Sequence, residues 1–262
     1  MVMLCIVTIV FVFPFYWVIT GSFKEQRVTI QLPPQWFPQN PTLDNYLTLF
    51  KQPALKWFLN SFLVAFISMA LVCFVSTLAG YVLAKKRFYG GKLLFGIFVA
   101  AMALPKQVVL VPLVRLVSAW GFHNTLAAAI LPAVGWPFGV FLMKQFSETI
   151  PTEMLEAAKI DGCNEWQIFY RVVLPMVKPG IGALAIFTFI SAWNDYFMQL
   201  IMLSSRENLT LQLGIATMQA EFATNYGVLM AGATFSAIPI VLIFIIFQKS
   251  FTQGITMGSV KG

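Results

Sequence analysis

Charge is what this sequence has least of. Among its 262 residues only 10% are charged, against roughly 25% in a soluble globular domain, which excludes a water-soluble fold wrapped in an ionic shell. Histidine occurs once, at His123, and no group of His, Cys, Asp and Glu has metal-ligand spacing, so no metal site is expected. Cys5, Cys73 and Cys163 have neither metal nor redox spacing; they read as packing residues and not as a disulfide framework. No G-x-x-x-x-G-K-[ST] run is present, so the chain has no loop of that kind to cradle nucleotide phosphates. No Ser/His/Asp or Cys/His set is legible either. That leaves no catalytic residue and no cofactor to argue for, and no nucleic-acid partner is expected.

What the chain has instead is apolar length. Hydrophobic residues make up 59% of it, Phe alone fills 26 positions, and the mean hydropathy is +0.80. A helix needs about 20 apolar residues to cross a hydrocarbon core of ~30 Å. Six runs qualify: 1–20, 58–84, 93–117, 125–143, 180–203 and 228–247. The expected fold is therefore an all-α membrane protein with six transmembrane helices. The first run lacks a basic leading region and a small-residue cleavage site, so it reads as a retained span and not as a signal peptide.

Basic residues set the orientation. The loop KKRFYGGK at 85–92 carries four basic residues in eight positions and no acid, which places it in the cytoplasm. Both termini and the segment 144–179 then lie inside, while 21–57, 118–124 and 204–227 lie outside. With Arg115 taken as an outer residue, ten Lys and Arg are inside and six outside, and Lys106 is left within a span. The outer loop is rich in Pro and aromatics, and a short amphipathic helix is expected at 43–50.

One polar stretch interrupts the pattern. SETIPTEMLEAAKIDGCNEWQIFYRVVLPMVKPG lies between the fourth and fifth runs. Pro151 suits a first helical turn, and Glu153 and Glu156 suit its positive end. Asp161-Gly162 ends that helix, since Gly readily takes a left-handed cap. Asn164 with Gln167 resembles a capping box opening a second helix. That helix carries Ile168, Phe169, Val172 and Val173 on one face, and Pro175 and Pro179 end it. The result is a helix, a sharp turn and a second helix lying along the membrane face.

The spacing Glu156-Ala157-Ala158, then Gly162, then Leu174-Pro175 resembles the EAA loop of binding-protein-dependent ABC importer permeases. SFK (22–24), PTLDNY (41–46), NSF (60–62), SAWNDY (191–196) and FTQGITMGSVKG (251–262) extend the likeness over nearly the whole chain. They point to the maltose-type carbohydrate permeases, and to the shorter of their two membrane subunits. The resemblance implies one transmembrane permease domain over 1–262, with a cytoplasmic coupling loop at 144–179 and a cytoplasmic tail at 248–262. It also implies a second permease subunit, two copies of a cytoplasmic ABC ATPase, an extracytoplasmic solute-binding protein and a carbohydrate substrate. Glu156, Ala157, Ala158, Asp161 and Gly162 would then form the helix that docks into the ATPase, and the tail would reach between the ATPase subunits. A polyol, glycerol phosphate or phosphodiester importer is the alternative within the family; an ATPase-independent secondary transporter is the alternative outside it. Family members usually have a basic segment before the first helix, so a truncated or unusual start is expected.

Charges within a span cost at least ~2.5–3.5 kcal/mol on insertion scales, which singles out Lys106 and Asp195. Asp195 lies beside Trp193, Asn194 and Tyr196, a set able to stack on sugar rings and bond their hydroxyls along a translocation path. The alternative is that these four only pack and tie neighbouring spans. Counting residues from the cytoplasmic side puts Lys106 and Asp195 both about 20 Å deep, so they are expected to pair, directly or through a polar neighbour such as Asn194 or Gln107. The alternatives are that each faces an aqueous cavity alone, or that Lys106 snorkels outward. Pro105 and Pro112 mark a kinked or broken third span, and Pro132, Gly135 and Pro137 a kinked fourth.

Overall fold

The computed structural model describes the backbone of residues 1–221 and 225–259, with side chains at 1–219 and 225–246, and every described element is helical. In chain order these are α1 (Val2–Ser22), α2 (Gln26–Thr29), α3 (Asp44–Lys51), α4 (Ala54–Lys85) and α5 (Gly91–Ala101). A 3-10 turn (Lys106–Val109) leads into α6 (Leu110–Ala119), followed by α7 (Leu126–Val134), α8 (Pro137–Glu148) and α9 (Thr152–Ile160). Then come α10 (Glu165–Met176), α11 (Lys178–Trp193), α12 (Tyr196–Met202), α13 (Leu211–Glu221) and α14 (Tyr226–Ser259). The side chains of the tail at 248–262 lie outside the described residues.

Three helices are long and apolar enough to cross a bilayer alone: α1, α4 and α14 as far as Ile246. The other three apolar runs are not single helices. Gly91–Ala101 and Lys106–Ala119 meet at 103°, with Pro105 extended between them. Pro112 sits in the first turn of α6 and breaks nothing, because the N–H it lacks has no partner there anyway. α7 and α8 meet at 42° around Gly135 and Trp136, with Pro137 opening α8. The fifth run stops at Trp193 and restarts at Tyr196, because the Asp195 carboxylate accepts the Met198 N–H at 3.1 Å and caps a new helix.

Residues 1–61 and 204–242 form one compact unit. α1 is apolar on every side and its spanning window is unburied, the pattern of a helix facing lipid. Cys5 is accordingly exposed, so the packing role expected of it is not observed. The C-terminal half of α1 is fastened: Tyr16 Oη donates to Trp36 O at 2.6 Å, and the Asn45 amide donates to the carbonyls of Ser22 (2.9 Å) and Lys24 (2.8 Å), which lie where helical partners run out. The start of α4 holds the irregular stretch after Ser204 in the same way. Asn60 donates to Glu207 O and Leu209 O, both at 2.9 Å, and Ser61 Oγ accepts Leu211 N–H at 2.8 Å.

The second unit contains residues 62–203. Ser68, Val72, Ser76 and Gly80 recur at every fourth position of α4 and form one stripe. Gly139, Met143 and Ser147 do the same on α8. A Cβ built on Gly139 would stand 2.4 Å from Ser76 Oγ, and one on Gly80 2.6 Å from the Lys144 backbone N. Small side chains therefore set how closely α4 and α8 approach, as at helix interfaces in membranes generally. Both helices run the same way and end together, where Lys85 donates to Glu148 O (3.1 Å) and Ile150 O (2.6 Å).

Gly139→Leu would force its side chain into Ser76 and Val72 and should cost about 1–3 kcal/mol by overpacking. Gly96→Leu, where a Cβ meets nothing within 4 Å, is the control. Thermal midpoints in detergent should fall for the first variant and hold for the second.

Candidate functional site

The polar segment folds as a helix, a tight turn and a second helix. Pro151 is the N-cap of α9, one position ahead of the first turn expected for it. The exit from α9 is a Schellman turn: Cys163 N–H bonds Ala158 O and Gly162 N–H bonds Lys159 O, both at 3.0 Å. Gly162 takes φ +82°, and a Cβ there would meet nothing within 4 Å, so the backbone conformation alone demands glycine. Asn164 and Gln167 form the expected capping box, at 2.9 and 2.8 Å.

α10 does not end at Pro175. Residues 169–173 loosen into a π turn in which Leu174 N–H bonds Phe169 O, and the helix continues through the proline to Met176. Pro179 instead lies in the first turn of α11, where no N–H is needed.

The two helices have opposite faces of different chemistry. Leu155, Ala158, Ile168, Phe169 and Val173 are buried with Tyr81 of α4, Met143 of α8 and Leu184 of α11. Cys73 and Cys163 pack against this cluster, as expected of them. Glu156, Ala157, Asp161 and Gly162 are exposed on the other side. Of the two adjacent alanines, only Ala157 faces outward. Sequence reasoning missed the exposed apolar residues of this segment: Ile160 is 86% exposed, and Met154, Trp166 and Tyr170 are exposed as well. The available signal was at Ile160, which lies across the helix from buried Leu155 and Ala158.

Lys86 Nζ meets Glu165 Oε2 at 2.5 Å and ties α10 to the end of α4; Lys159 adds a 3.8 Å contact to the same carboxylate. The Lys86 hydrogen bond holds the Glu165 carboxyl below the usual glutamate range, against the opposing effect of burial. Burial pulls the Lys86 ammonium down, but its bonds and charge partners outweigh this and leave it above its ordinary value.

A cavity of about 460 Å³ lies where the broken helices meet. It is bordered by Met102, Leu104 and Pro105 at the first break, Gly135, Trp136 and Pro137 at the second, and Asp195 at the third. Lys106 and Asp195 both line it. The direct form of the expected pair is not present: no Lys106–Asp195 N···O distance falls within 4.0 Å. Depth counted along an unbroken helix loses its meaning beyond a 103° bend. Lys106 Nζ instead stands 5.9 Å from the Trp136 ring centroid.

The rest of the Trp193–Tyr196 set lies elsewhere. Trp193 is fully buried and stacks on Phe189 at 5.8 Å, Asn194 is exposed, and Tyr196 packs edge-on against Phe197. None of the three lines the cavity. Trp136, Ser191 and Gln199 do, and were not anticipated; Trp136 between Gly135 and Pro137 was the legible clue.

Comparison with known proteins agrees with this architecture. Residues 76–257 match the family described as binding-protein-dependent transport system inner membrane component. The chain is 32% identical to the arabinooligosaccharides transport system permease protein AraQ of Bacillus subtilis (strain 168), covering 97% of this chain and 92% of that one. It is 34% identical to the sulfoquinovosyl glycerol transport system permease protein SmoH of Agrobacterium fabrum (strain C58 / ATCC 33970), covering 95% and 89%. The fold is similar to a chain of a bacterial ABC transporter involved in the import of the acidic polysaccharide alginate, with TM-score 0.81, 21% identity and coverage of 95% and 94%. The chain belongs to the family of inner membrane components of binding-protein-dependent transport systems.

Proposed function

We propose that this chain is a permease subunit of an ATP-driven ABC importer for sugars or oligosaccharides, acting as one transmembrane domain over residues 1–262. The substrate class rests on the relatives, which are named for transport of sugar-containing solutes. In this reading the chain crosses the cell membrane six times, each bent helical stretch forming part of one crossing. Both termini, the basic loop at 85–92 and the segment 144–179 are cytoplasmic. The bonds of Lys85 and Lys86 to that segment support a common face for the two. A second permease completes the pathway, a binding protein delivers the solute from outside, and two ATPase subunits hydrolyse ATP.

One observation carries the coupling role. The α9–α10 pair is fastened on its inner side by a shared apolar core with α4, α8 and α11, while its outer face presents Glu156, Ala157, Ile160 and Asp161. A rigidly mounted, exposed face of mixed acidic and apolar chemistry suits docking into a cleft on the ATPase. Glu156 and Asp161 would meet basic residues there, Ala157 would allow close backbone approach, and Gly162 keeps the turn. Ala158 contributes from beneath, by seating α9 on the core. Motion of the ATPase would pass through this mount to the membrane helices, and Lys106 and Asp195 would border the path that opens.

Coexpression with its cognate second permease and ATPase tests the reading. Ala157→Trp should lower ATPase copurification and sugar uptake at least tenfold while the chain stays in the membrane. Gly162→Pro should do the same through loss of the turn. Undiminished uptake in either membrane-resident variant would refute the docking role, and uptake by energised vesicles without ATPase would favour a secondary transporter.

The Lys86–Glu165 pair gives a pH signature. A lowered Glu165 pKa means its contribution is present above the ordinary glutamate value of about 4.3 and fades as pH falls through the folded value. On the alkaline side it persists until the raised Lys86 value is passed. Because Glu165 is largely exposed, the effect should stay below about 1 kcal/mol. Glu165→Gln should lower the thermal midpoint slightly at pH 7, and the difference should vanish in acid.

A further inference from the structure

We infer that this subunit carries its own sugar subsite, in which the cavity at the three helix breaks seats one uncharged sugar ring against Trp136, with Asp195 and Lys106 on its hydroxyls. The inference rests on the reading of the chain as a sugar permease and adds the place, the residues and the charge class of the ligand.

The breaks are the first argument. Interrupting a helix at membrane depth leaves backbone groups without their intrahelical partners, a condition tolerated only against protein or a water-filled cavity. Two bends, after Ala101 and after Val134, and the interruption at Asp195 all open on one cavity. Its volume, about 460 Å³, falls in the range of roughly 300–1,000 Å³ usual for small-molecule sites.

The polar groups are the second argument. The Gln199 amide of α12 donates to Ala192 O of α11 at 3.0 Å, tying the two helices across the Asp195 break, and the Thr188 hydroxyl donates to Leu184 O within α11 at 2.8 Å, so both already have structural partners. Asp195 accepts one backbone N–H and forms no ion pair among the described residues; Lys106 stands over Trp136 and likewise forms none. An ammonium and a carboxylate that share a cavity without meeting can both be satisfied by a solute that donates and accepts. A sugar does this with neighbouring hydroxyls, one donating to Asp195 and another accepting from Lys106, while its C–H face lies on the Trp136 ring. A uronate or sulfonate would gain Lys106 and face repulsion from Asp195. The site therefore favours neutral rings.

The test uses the assembled importer in lipid nanodiscs without binding protein, with every preparation compared at equal copurified ATPase. Equilibrium binding is measured for three neutral probes, arabinotriose, maltotriose and diacetylchitobiose, and for anionic trigalacturonate. At least one neutral probe should bind, with trigalacturonate at least tenfold weaker. Trp136→Ala should weaken the neutral probe at least tenfold, and Asp195→Asn should narrow the neutral-to-anionic ratio at least fivefold. Absence of binding by every neutral probe, equal or tighter binding of trigalacturonate, or an unchanged neutral affinity in Trp136→Ala overturns the subsite. Sugar-stimulated ATP hydrolysis separates the two readings. If it persists in the wild-type importer supplied with binding protein while the subsite tests fail, only the subsite falls; if it is absent, the permease reading falls with it.

Discussion

A polypeptide within hydrocarbon must satisfy its own backbone hydrogen bonds, and the rest of this structure follows from where it does so and where it does not. α1, α4 and α14 meet the requirement with unbroken apolar helices. The remaining apolar stretches interrupt theirs, and each interruption has a local chemical cause. Pro105 is held extended, Pro137 opens α8 just after Gly135, and the Asp195 carboxylate caps a helix of its own. Such breaks are costly when scattered through a lipid-facing surface. Gathered around one cavity, they can share its polar groups and its water.

A second constraint lies at the end of the molecule where α4 and α8 finish. A polar helix pair docked on two membrane helices by surface charges alone would be weakly held, since an exposed ion pair contributes about 0–1 kcal/mol. Here Ile168, Phe169 and Val173 are inserted into an apolar cluster with Tyr81 and Met143. Each such side chain is worth roughly 1.5–3 kcal/mol on full burial. Burial supplies the mount, and Lys86–Glu165 fixes its register.

Most of this was legible from local rules, and the parts that were not share a reason. The Gly162 turn, the Asn164–Gln167 capping box and the amphipathic helix near residue 44 depend on neighbours a few positions away, so short motifs disclosed them. Pro105 and the Gly135–Pro137 stretch announced their bends by the same logic. The break before Tyr196 was missed because no proline marks it; its signal is a lone Asp acting as N-cap inside an apolar run. Trp193 looked like a sugar platform but lies buried on Phe189, while Trp136 lines the cavity. Which aromatic faces a space and which faces a neighbouring helix depends on helix rotation, a tertiary property that residue type does not encode. The small-residue stripes of α4 and α8 were visible as spacing, but only their pairing gives them meaning.

The cavity and the mount belong to the same unit, and two of its helices connect them. α8 begins at the cavity, just after Trp136, and ends at Glu148, whose carbonyl Lys85 holds. α11 runs the other way, from Lys178 after the bend that follows α10 to Trp193, next to the Asp195 break. At 1.5 Å per residue they span about 18 and 24 Å. Each is a regular rod with an interruption at its cavity end, and α11 also has a 77° bend at its other end. A load applied to α9 and α10 cannot be absorbed in the close-packed core beneath them, where side chains interdigitate and compress little. In the proposed cycle it would be relieved where the backbone is already interrupted, at the 77° bend between α10 and α11 and at the breaks beside the cavity. In the proposed transport cycle the breaks therefore have two roles: they line the space a solute occupies, and they are the points at which that space can change shape.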